Sequence, residues 1–483
     1  MTFNAMNSYT PSKSVGLLIG PILFLILTFS NLEIINSQAD SVIAIAAWMV
    51  IWWITEAVSI SVTSLLPLLL FPLLKIMPMG DVGANYGSPI VFLFFGGFVL
   101  ALALEKVNLH KRIALTIISK TGTSPNRVIL GFMIATGFMS MWISNTASTV
   151  VMLPIAMSVI KMLIDDEDGF TKKDRNFALS VMLGIAFSAN AGGIATVIGT
   201  PPNSVLIGLL ENEYNTEISF VNWMMLGLPF SMLLIGIIYV VLINLFPNKG
   251  LLFKATHGII KNELQSLGKV TPRERQVLIT FAIIVSLWVF RTLINSIFPL
   301  LKLNDTMISI FGALALFTIP FNLKGGEFIL EWKDTSRLAW GILILFGGGL
   351  ALAQGMSTTG IVDLVASSIS NSDISILLTA SFLIILMLFM TELMSNVALT
   401  AVLAPVVAGI AIGLDIPMLH LLIPVTIASS CAFMLPMATP PNAIVFASGY
   451  IKVKDMARVG FFLNVISVIL LILMFKYFVP LFF

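Results

Sequence analysis

The chain has 483 residues, of which 58% are hydrophobic and only 10% are charged. Soluble domains typically carry about 25% charged residues, so this chain is too apolar for a soluble domain and its composition indicates a membrane-embedded protein. The net charge of +2 implies no nucleic-acid partner, and the single cysteine, Cys431, excludes a disulfide framework and a multi-cysteine zinc site.

Apolar segments long enough to cross a bilayer follow one another along nearly the whole chain. A hydrocarbon core needs roughly 20 apolar helical residues, and the first such run carries no cleavage pattern, so we expect it to be retained. About eleven spans are predicted, near 15–32, 41–58, 60–78, 88–106, 178–210, 222–246, 275–298, 303–321, 338–356, 417–448 and 458–482. Two further stretches, 126–161 and 373–413, are too long for one crossing and carry polar residues at their middles. Each fits a re-entrant hairpin, which gives an all-α integral membrane protein.

The positions of the basic residues predict the orientation of these spans. Short cytoplasmic loops concentrate Lys and Arg. A cytoplasmic N-terminus leaves few basic residues on the outer side, namely Lys75, Arg291, Lys302 and Lys476. The sequence therefore predicts a multi-pass protein of the cell membrane with an extracytoplasmic C-terminus.

A long polar interruption divides the chain into halves. Between Pro247 and Arg275, apolar residues are spaced among lysines as in an interfacial amphipathic helix, namely Leu251, Leu252, Ile259, Ile260 and Leu264. A plain cytoplasmic loop is the alternative. We expect four parts: a tail and first transmembrane helix over 1–40, a first repeat over 41–246, a cytoplasmic linker over 247–274 and a second repeat over 275–483.

Three motifs of the first half recur in the same order in the second half. The run at 94–101 matches 346–353, Ser-Asn-Thr-Ala at 144–147 matches Ser-Asn-Val-Ala at 395–398, and Gly-Thr-Pro-Pro-Asn at 199–203 matches Ala-Thr-Pro-Pro-Asn at 438–442. This order is typical of an internal repeat. Because each half has an odd number of crossings, we expect inverted copies, which in transporters place a substrate site near the membrane midplane. A duplication that serves folding alone is the alternative.

The polar motifs inside the apolar stretches are the candidates for a binding site. Unsatisfied polar groups at bilayer depth cost several kcal/mol each, so these groups need partners. At a hairpin tip, helix ends with free N–H and C=O groups can hold an anion and a cation. Consecutive prolines break a helix, which exposes carbonyls to a hard cation and lets a Thr hydroxyl donate to a carboxylate. A helix–helix hydrogen bond and a packed kink are the alternatives without a ligand.

Motifs of ATP-driven transport and of enzymatic chemistry are missing from the sequence. The three histidines, His110, His257 and His420, form no metalloprotease pattern, and neither a Walker loop nor a nucleophile elbow occurs. We therefore expect no enzyme and no organic cofactor. Glu56 and Glu392 lie in apolar runs and are expected to be buried carboxylates, either coupled to protons or purely structural, and they are left outside the predicted site.

The paired Ser-Asn-Thr and Thr-Pro motifs resemble those of the divalent anion/sodium symporter family, whose members take up dicarboxylates, citrate or sulfate. The resemblance covers nearly the whole chain. It implies eleven transmembrane helices, two opposed hairpins, a homodimer surrounded by membrane lipid, and elevator-type motion of a transport domain.

The resemblance also implies the residues of the site. The first sodium site would use Ser140, Ser144, Asn145 and Gly199, and the second Thr391, Met394 through its carbonyl, Asn396 and Ala438. Substrate carboxylates would meet Asn145, Thr146, Asn396, Thr439 and Thr200, beside Ser395, Val397, Pro201 and Pro440. Val397 departs from the family pattern because it lacks the expected hydroxyl, a loss of roughly 0.5 to 1.5 kcal/mol of binding energy if nothing replaces it.

The absence of Lys and Arg from both Ser-Asn motifs favours sodium coupling, since bound cations and helix dipoles must then neutralise a dianion. The expected function is sodium-coupled symport of C4 dicarboxylates such as succinate, malate and fumarate. A sodium-independent dicarboxylate exchanger that also accepts 2-oxoglutarate, and a citrate or sulfate transporter, are the alternatives. An ion channel would need a continuous polar pore, which the two hairpins of opposite entry do not suggest.

Overall fold

The computed structural model describes residues 11–30, 35–122, 124–164, 171–248, 262–322, 325–370 and 375–483. The predicted all-α class is confirmed. The helices of the first half are α1 (Pro11–Phe29), α2 (Ser37–Thr55), α3 (Ile60–Thr63), α4 (Leu66–Leu73), α5 (Met79–Tyr86), α6 (Pro89–Lys106), α7 (Leu109–Thr121), α8 (Pro125–Ser140), α9 (Asn145–Ile164), α10 (Lys172–Gly193), α11 (Pro201–Tyr214) and α12 (Phe220–Leu245).

The second half is also helical, apart from a small hairpin near its start. Its helices are α13 (Pro272–Ile297), α14 (Asp305–Thr318), α15 (Trp340–Thr358), α16 (Ile361–Ser370), α17 (Ile376–Met390), α18 (Asn396–Gly413), α19 (Met418–Ser429), α20 (Pro440–Phe446) and α21 (Val453–Leu473). Strands β1 (Pro320–Asn322) and β2 (Glu327–Phe328) pair antiparallel and precede a 3₁₀ helix, Trp332–Arg337. A π-helical turn, Met474–Phe478, and a 3₁₀ turn, Val479–Leu481, follow α21.

Prolines and small polar residues set where many of these helices begin. Pro89, Pro125 and Pro201 occupy the first turns of α6, α8 and α11, where the missing N–H removes no hydrogen bond. Thr171 and Thr271 begin α10 and α13 with reciprocal capping boxes, which satisfy backbone donors that a helix start leaves free.

The span predicted over 60–78 is helical over 60–73, but it is not one continuous helix. The chain there forms α3 and α4, separated at Ser64 and Leu65. Pro67 explains the break, because a proline ring collides with the carbonyl four residues earlier, here that of Thr63 at the end of α3. The spans 178–210 and 417–448 are divided before their paired prolines, as predicted, into α10 and α11 and into α19 and α20. Within the described residues, eight helices are long and apolar enough to cross a membrane.

The two stretches predicted as hairpins are each divided at the Ser-Asn motif, into α8 and α9 and into α17 and α18. In the first half, α10 packs on both helices of the divided stretch, α8 and α9. In the second half, α19 packs in the same way on α17 and α18. The halves also cross, since α9 packs on α20 and α11 packs on α18. Both sets of motifs therefore meet in one helical core.

The outer helices differ from that core in their burial. Only 17% of the apolar window of α1 and 22% of that of α13 are buried, whereas α10 is buried continuously from Phe177 to Gly193. The exposed apolar faces suit contact with lipid.

Part of the predicted linker lies outside the described residues, namely 249–261 with Leu251, Leu252, Ile259 and Ile260. The following residues 262–266 are helical. Arg112 of α7 holds this end of the linker, since its guanidinium donates to Glu274 Oε1 at 2.7 Å and to the carbonyls of Gly268 and Leu267 at 2.9 and 3.0 Å. The amphipathic helix stays a prediction.

Candidate functional site

The break between α8 and α9 brings oxygen atoms of three chain segments together. Ser140 Oγ donates to the Ala189 carbonyl at 2.7 Å and contacts Asn145 Oδ1. Asn145 Oδ1 also faces the carbonyl oxygens of Ala189 and Gly199, and exchanging the amide oxygen and nitrogen would give Nδ2 both acceptors at 3.2 Å. With the nitrogen inward the cluster is closed by hydrogen bonds; with the oxygen inward it is a set of oxygen ligands suited to a hard cation.

The break between α17 and α18 repeats this arrangement. Thr391 Oγ1 lies 2.7 Å from Asn396 Oδ1 and 2.9 Å from the Ser429 carbonyl oxygen, and its single proton serves one of these two acceptors at a time. Each break therefore combines a hydroxyl from the end of the first helix, an Asn from the start of the second, and a carbonyl from the neighbouring broken span. The duplication seen in the sequence extends to individual hydrogen bonds.

The Asn of each Thr-Pro-Pro-Asn motif closes the loop in front of it. Asn203 Nδ2 donates to the Thr196 carbonyl at 2.8 Å, and Asn442 Nδ2 donates to the carbonyls of Ala432 and Leu435 at 3.2 and 3.1 Å. These amides satisfy carbonyls that the broken helices leave without a partner. Asn203 and Asn442 thus shape the loops from which Thr200 and Thr439 begin the next helices.

Of the other predicted cation residues, Ser144 and Met394 lie in the two breaks and Ala438 lies just before α20. Ser144 accepts a hydrogen bond from the N–H of Ala147 at 3.2 Å and so caps α9. Ser395, a predicted substrate residue, caps α18 in the same way, through the N–H of Ala398 at 3.4 Å. The remaining two cation residues are Met394, in the turn before α18, and Ala438, which precedes Thr439 as Gly199 precedes Thr200. That any of these residues binds sodium stays a prediction.

The predicted substrate residues differ in exposure. Thr146 is exposed in the first turn of α9, whereas Asn145, Asn396 and Val397 are half-buried. The Thr-Pro pairs begin α11 and α20, with Thr200 and Thr439 buried, Pro201 half-buried and Pro440 exposed. Three longer helices, α9, α11 and α18, therefore begin at predicted substrate residues, and helix N-termini favour anions.

The structure adds three groups that the sequence prediction missed. The carbonyl of Ala189 belongs to the first cluster and that of Ser429 to the second. The third group is the amide of Asn190, whose Nδ2 donates to Thr439 Oγ1 at 3.0 Å. Every residue has a carbonyl, so no sequence signal marks the first two. Asn190 carried a signal, as an amide side chain among the small residues of 188–193.

The two carboxylates expected to be buried have different surroundings. Glu392 is 3% exposed and accepts from the N–H groups of Phe433, Met434 and Leu435 at 2.8, 2.9 and 3.1 Å and from Asn464 Nδ2 at 2.7 Å. For Glu56 the expectation is wrong. Its side chain is 63% exposed and lies 3.6 Å from the Lys13 ammonium, because the residue ends α2 in a left-handed conformation that turns it outward.

Comparisons with known proteins extend over nearly the full chain. The family model described as the sodium:sulfate symporter transmembrane region matches residues 13–483. A relative in Staphylococcus saprophyticus, named sodium-dependent dicarboxylate transporter SdcS, is 38% identical over 480 residues, covering 98% of this chain and 92% of the relative. The SdcS protein of Staphylococcus aureus strain RF122 is 39% identical over 479 residues with the same coverage. The crystal structure of the YdaH transporter of Alcanivorax borkumensis shares the fold alone, with a TM-score of 0.60 and 10% identity over 97% of this chain and 98% of that chain.

Proposed function

Because the chain belongs to the sodium:sulfate symporter family, we propose that it takes up C4 dicarboxylates such as succinate, malate and fumarate together with sodium. The observation that carries this proposal is the duplicated cluster of a hydroxyl, an Asn amide and a carbonyl at the two helix breaks. The relatives named as sodium-dependent dicarboxylate transporters support the choice of substrate and ion.

Sodium is assigned to the two oxygen clusters. The first site uses Ser140, Ser144, Asn145 and Gly199 with the added carbonyl of Ala189. The second site uses Thr391, Asn396, the Met394 carbonyl and Ala438, with the added carbonyl of Ser429. Neutral oxygens suit a hard monovalent cation, and a cation there compensates the missing Lys and Arg when a dianion binds.

The substrate is assigned to the space between the two clusters. Its carboxylates meet the amides of Asn145 and Asn396 and the hydroxyls of Thr146, Thr200 and Thr439, with Ser395, Val397, Pro201 and Pro440 beside them. The contacts of α9 with α20 and of α11 with α18 support this assignment, because they bring motifs of both halves to one place. The N-termini of α9, α11 and α18 add favourable dipoles for an anion.

The same proposal extends to the whole transporter. The apolar helices and the family make the chain a multi-pass membrane protein. We place it in the cell membrane as a homodimer, with a cytoplasmic N-terminus and an extracytoplasmic C-terminus. The repeats 41–246 and 275–483 are then inverted copies joined by a cytoplasmic linker, 247–274, and transport proceeds by an elevator movement.

Substitution of the two motif asparagines tests the site. We expect Asn145→Ala and Asn396→Ala each to reduce sodium-driven succinate uptake to background, because each removes both an amide donor for substrate and an oxygen of a cluster. The matched control is Asn176→Ala, at the start of α10, whose amide donates to the Pro247 carbonyl away from the motifs. Unchanged uptake kinetics in either motif variant, at equal amounts of reconstituted protein, would refute the assignment.

A further inference from the structure

A chain of hydrogen bonds with a fixed direction leads to the Thr439 hydroxyl. It begins at Asn442, which is fully buried. The Asn442 amide faces the carbonyls of Ala432 and Leu435 at 3.2 and 3.1 Å. Carbonyls only accept hydrogen bonds, so the nitrogen of Asn442 must face them and its oxygen must point to the other side.

That oxygen determines the orientation of Asn190. Asn190 is 2% exposed, and its Nδ2 lies 3.4 Å from Asn442 Oδ1 and 3.0 Å from Thr439 Oγ1. With the Asn190 amide reversed, two amide oxygens would face each other without a proton between them. Asn190 therefore donates to Thr439.

The Thr439 hydroxyl is thereby left to donate in another direction. Its Oγ1 accepts from Asn190 and, at 3.4 Å, from the N–H of Asn442. A hydroxyl offers one proton and two acceptor positions, and both acceptor positions are now used. Within the described part of the chain the Thr439 proton meets no acceptor, so it is available to a bound carboxylate.

The first repeat has no such chain. The carbonyls of Ala189 and Ser429 occupy equivalent places in the two clusters. The residues that follow them, Asn190 and Ser430, are therefore equivalent positions of the two repeats. Ser430 Oγ and Asn203 Oδ1 are both buried and, among the described residues, have no hydrogen-bond partner. Thr200 lacks the side-chain cap bond that Thr439 makes. The shorter Ser side chain leaves the first Thr without an oriented proton.

We propose that Asn190 is a positioning residue that fixes the Thr439 hydroxyl as a donor to a substrate carboxylate, so that the second repeat binds that carboxylate more strongly than the first. This inference rests on the proposed function, because it takes Thr439 as a substrate residue. Asn190 acts through Thr439 and needs no contact with the substrate. Since Asn190 is on α10, the first repeat orients a binding group of the second.

A double-mutant cycle in proteoliposomes tests the inference. The variants are Asn190→Ala, Thr439→Val and the two combined, with succinate uptake measured at saturating sodium and Asn176→Ala as the control on the same helix. We expect Asn190→Ala to raise KM by about 2- to 10-fold, the range for one hydrogen bond, with little change in maximum rate. The combined variant should match Thr439→Val, because residues that act as one unit are not additive. Asn190→Leu, close in size, replaces Asn190→Ala if the alanine variant fails to fold.

The outcomes distinguish a failure of the positioning role of Asn190 from a failure of the proposed function. An unchanged KM in the Asn190 variants, with a raised KM in Thr439→Val, overturns the positioning role and leaves the proposed function standing. Effects that multiply in the combined variant overturn it as well, because Asn190 then acts independently of Thr439. An unchanged KM in Thr439→Val removes Thr439 from the substrate site and overturns the positioning role with it, whereas the proposed function is overturned only if the unaltered protein shows no sodium-dependent succinate uptake.

Discussion

At the scale of single residues, the two helix breaks gather neutral groups in very little space. Ser140 and Thr391 each use one hydroxyl to join an Asn side chain to a carbonyl of another helix. The donors and acceptors of such a cluster are matched only while each atom keeps its position. Side chains of the wrong size nearby should therefore disturb ligand binding before they disturb the fold.

Gly193 is the residue where this tight packing can be tested. A Cβ added there would lie 2.5 Å from Asn145 Oδ1 and 3.1 Å from the Gly199 carbonyl oxygen, both shorter than ordinary van der Waals contact. We expect Gly193→Ala to lower succinate uptake at least tenfold, because the Asn145 amide must move. Gly236→Ala on α12 is the control, since nothing lies within 4 Å of its added Cβ. Wild-type sodium and succinate dependence in Gly193→Ala would contradict the assignment of Asn145.

The sequence predicts much of this residue-scale arrangement, and its limits have a physical cause. Ser140, Asn145 and Gly199 lie together as the family resemblance implies, and the motif carries the signal because polar residues are rare in apolar helices. The carbonyls of Ala189 and Ser429 depend on how α10 and α19 pack. The role of Asn190 depends on the direction of hydrogen bonds between the halves, which no local pattern records.

At the scale of secondary-structure elements, the loops before the two Thr-Pro-Pro-Asn motifs are fastened differently. In the first, Thr196 Oγ1 donates to the Met141 carbonyl at 2.6 Å and Trp223 Nε1 donates to the Ile194 carbonyl at 2.9 Å. In the second, Glu392 accepts from three successive backbone N–H groups at 433–435. In the second repeat a carboxylate therefore holds the loop that neutral side chains hold in the first repeat. This structural role explains why Glu392 is buried without any need for proton transport.

Glu392→Gln tests this structural role. The amide oxygen can keep the bonds from Phe433 and Met434, but its NH₂ group would face the N–H of Leu435, so one bond to a charged acceptor is lost. We expect a loss of about 1.5 to 3 kcal/mol in the free energy of unfolding, measured as a lower Tm of the detergent-solubilised protein. The control is Glu56→Gln, at the exposed Thr-Glu pair, which should leave Tm unchanged. An unchanged Tm in Glu392→Gln would show that the carboxylate does not hold this loop.

Element boundaries were predictable where proline or a polar motif breaks the helix. The breaks at the Ser-Asn motifs and before the paired prolines are present, because these residues leave the backbone no regular helical alternative. Over 60–78 the interruption at Ser64 and Leu65 was not predicted, because hydropathy is continuous there and the segment has neither a polar motif nor paired prolines. Hydropathy reports the solvent that a segment prefers and not the continuity of its backbone.

At the scale of the whole molecule, each half supplies parts of the other half's motif region. The helix α9 of the first hairpin packs on α20 of the second half, and α11 packs on α18 of the second hairpin. A ligand held between the motifs would therefore be bound by both halves at once. Because the oxygen clusters carry no charge to offset a dianion, a cation bound beside the dianion strengthens its binding, and we expect this to couple the two solutes.

Uptake of labelled succinate into proteoliposomes tests that coupling most directly. The uptake is measured with and without an inward sodium gradient, in vesicles that are either empty or preloaded with unlabelled dicarboxylate. The account predicts accumulation in empty vesicles that requires sodium and continues without internal dicarboxylate. Uptake that ignores sodium and requires internal dicarboxylate would establish an exchanger, and would leave the two oxygen clusters without their proposed role.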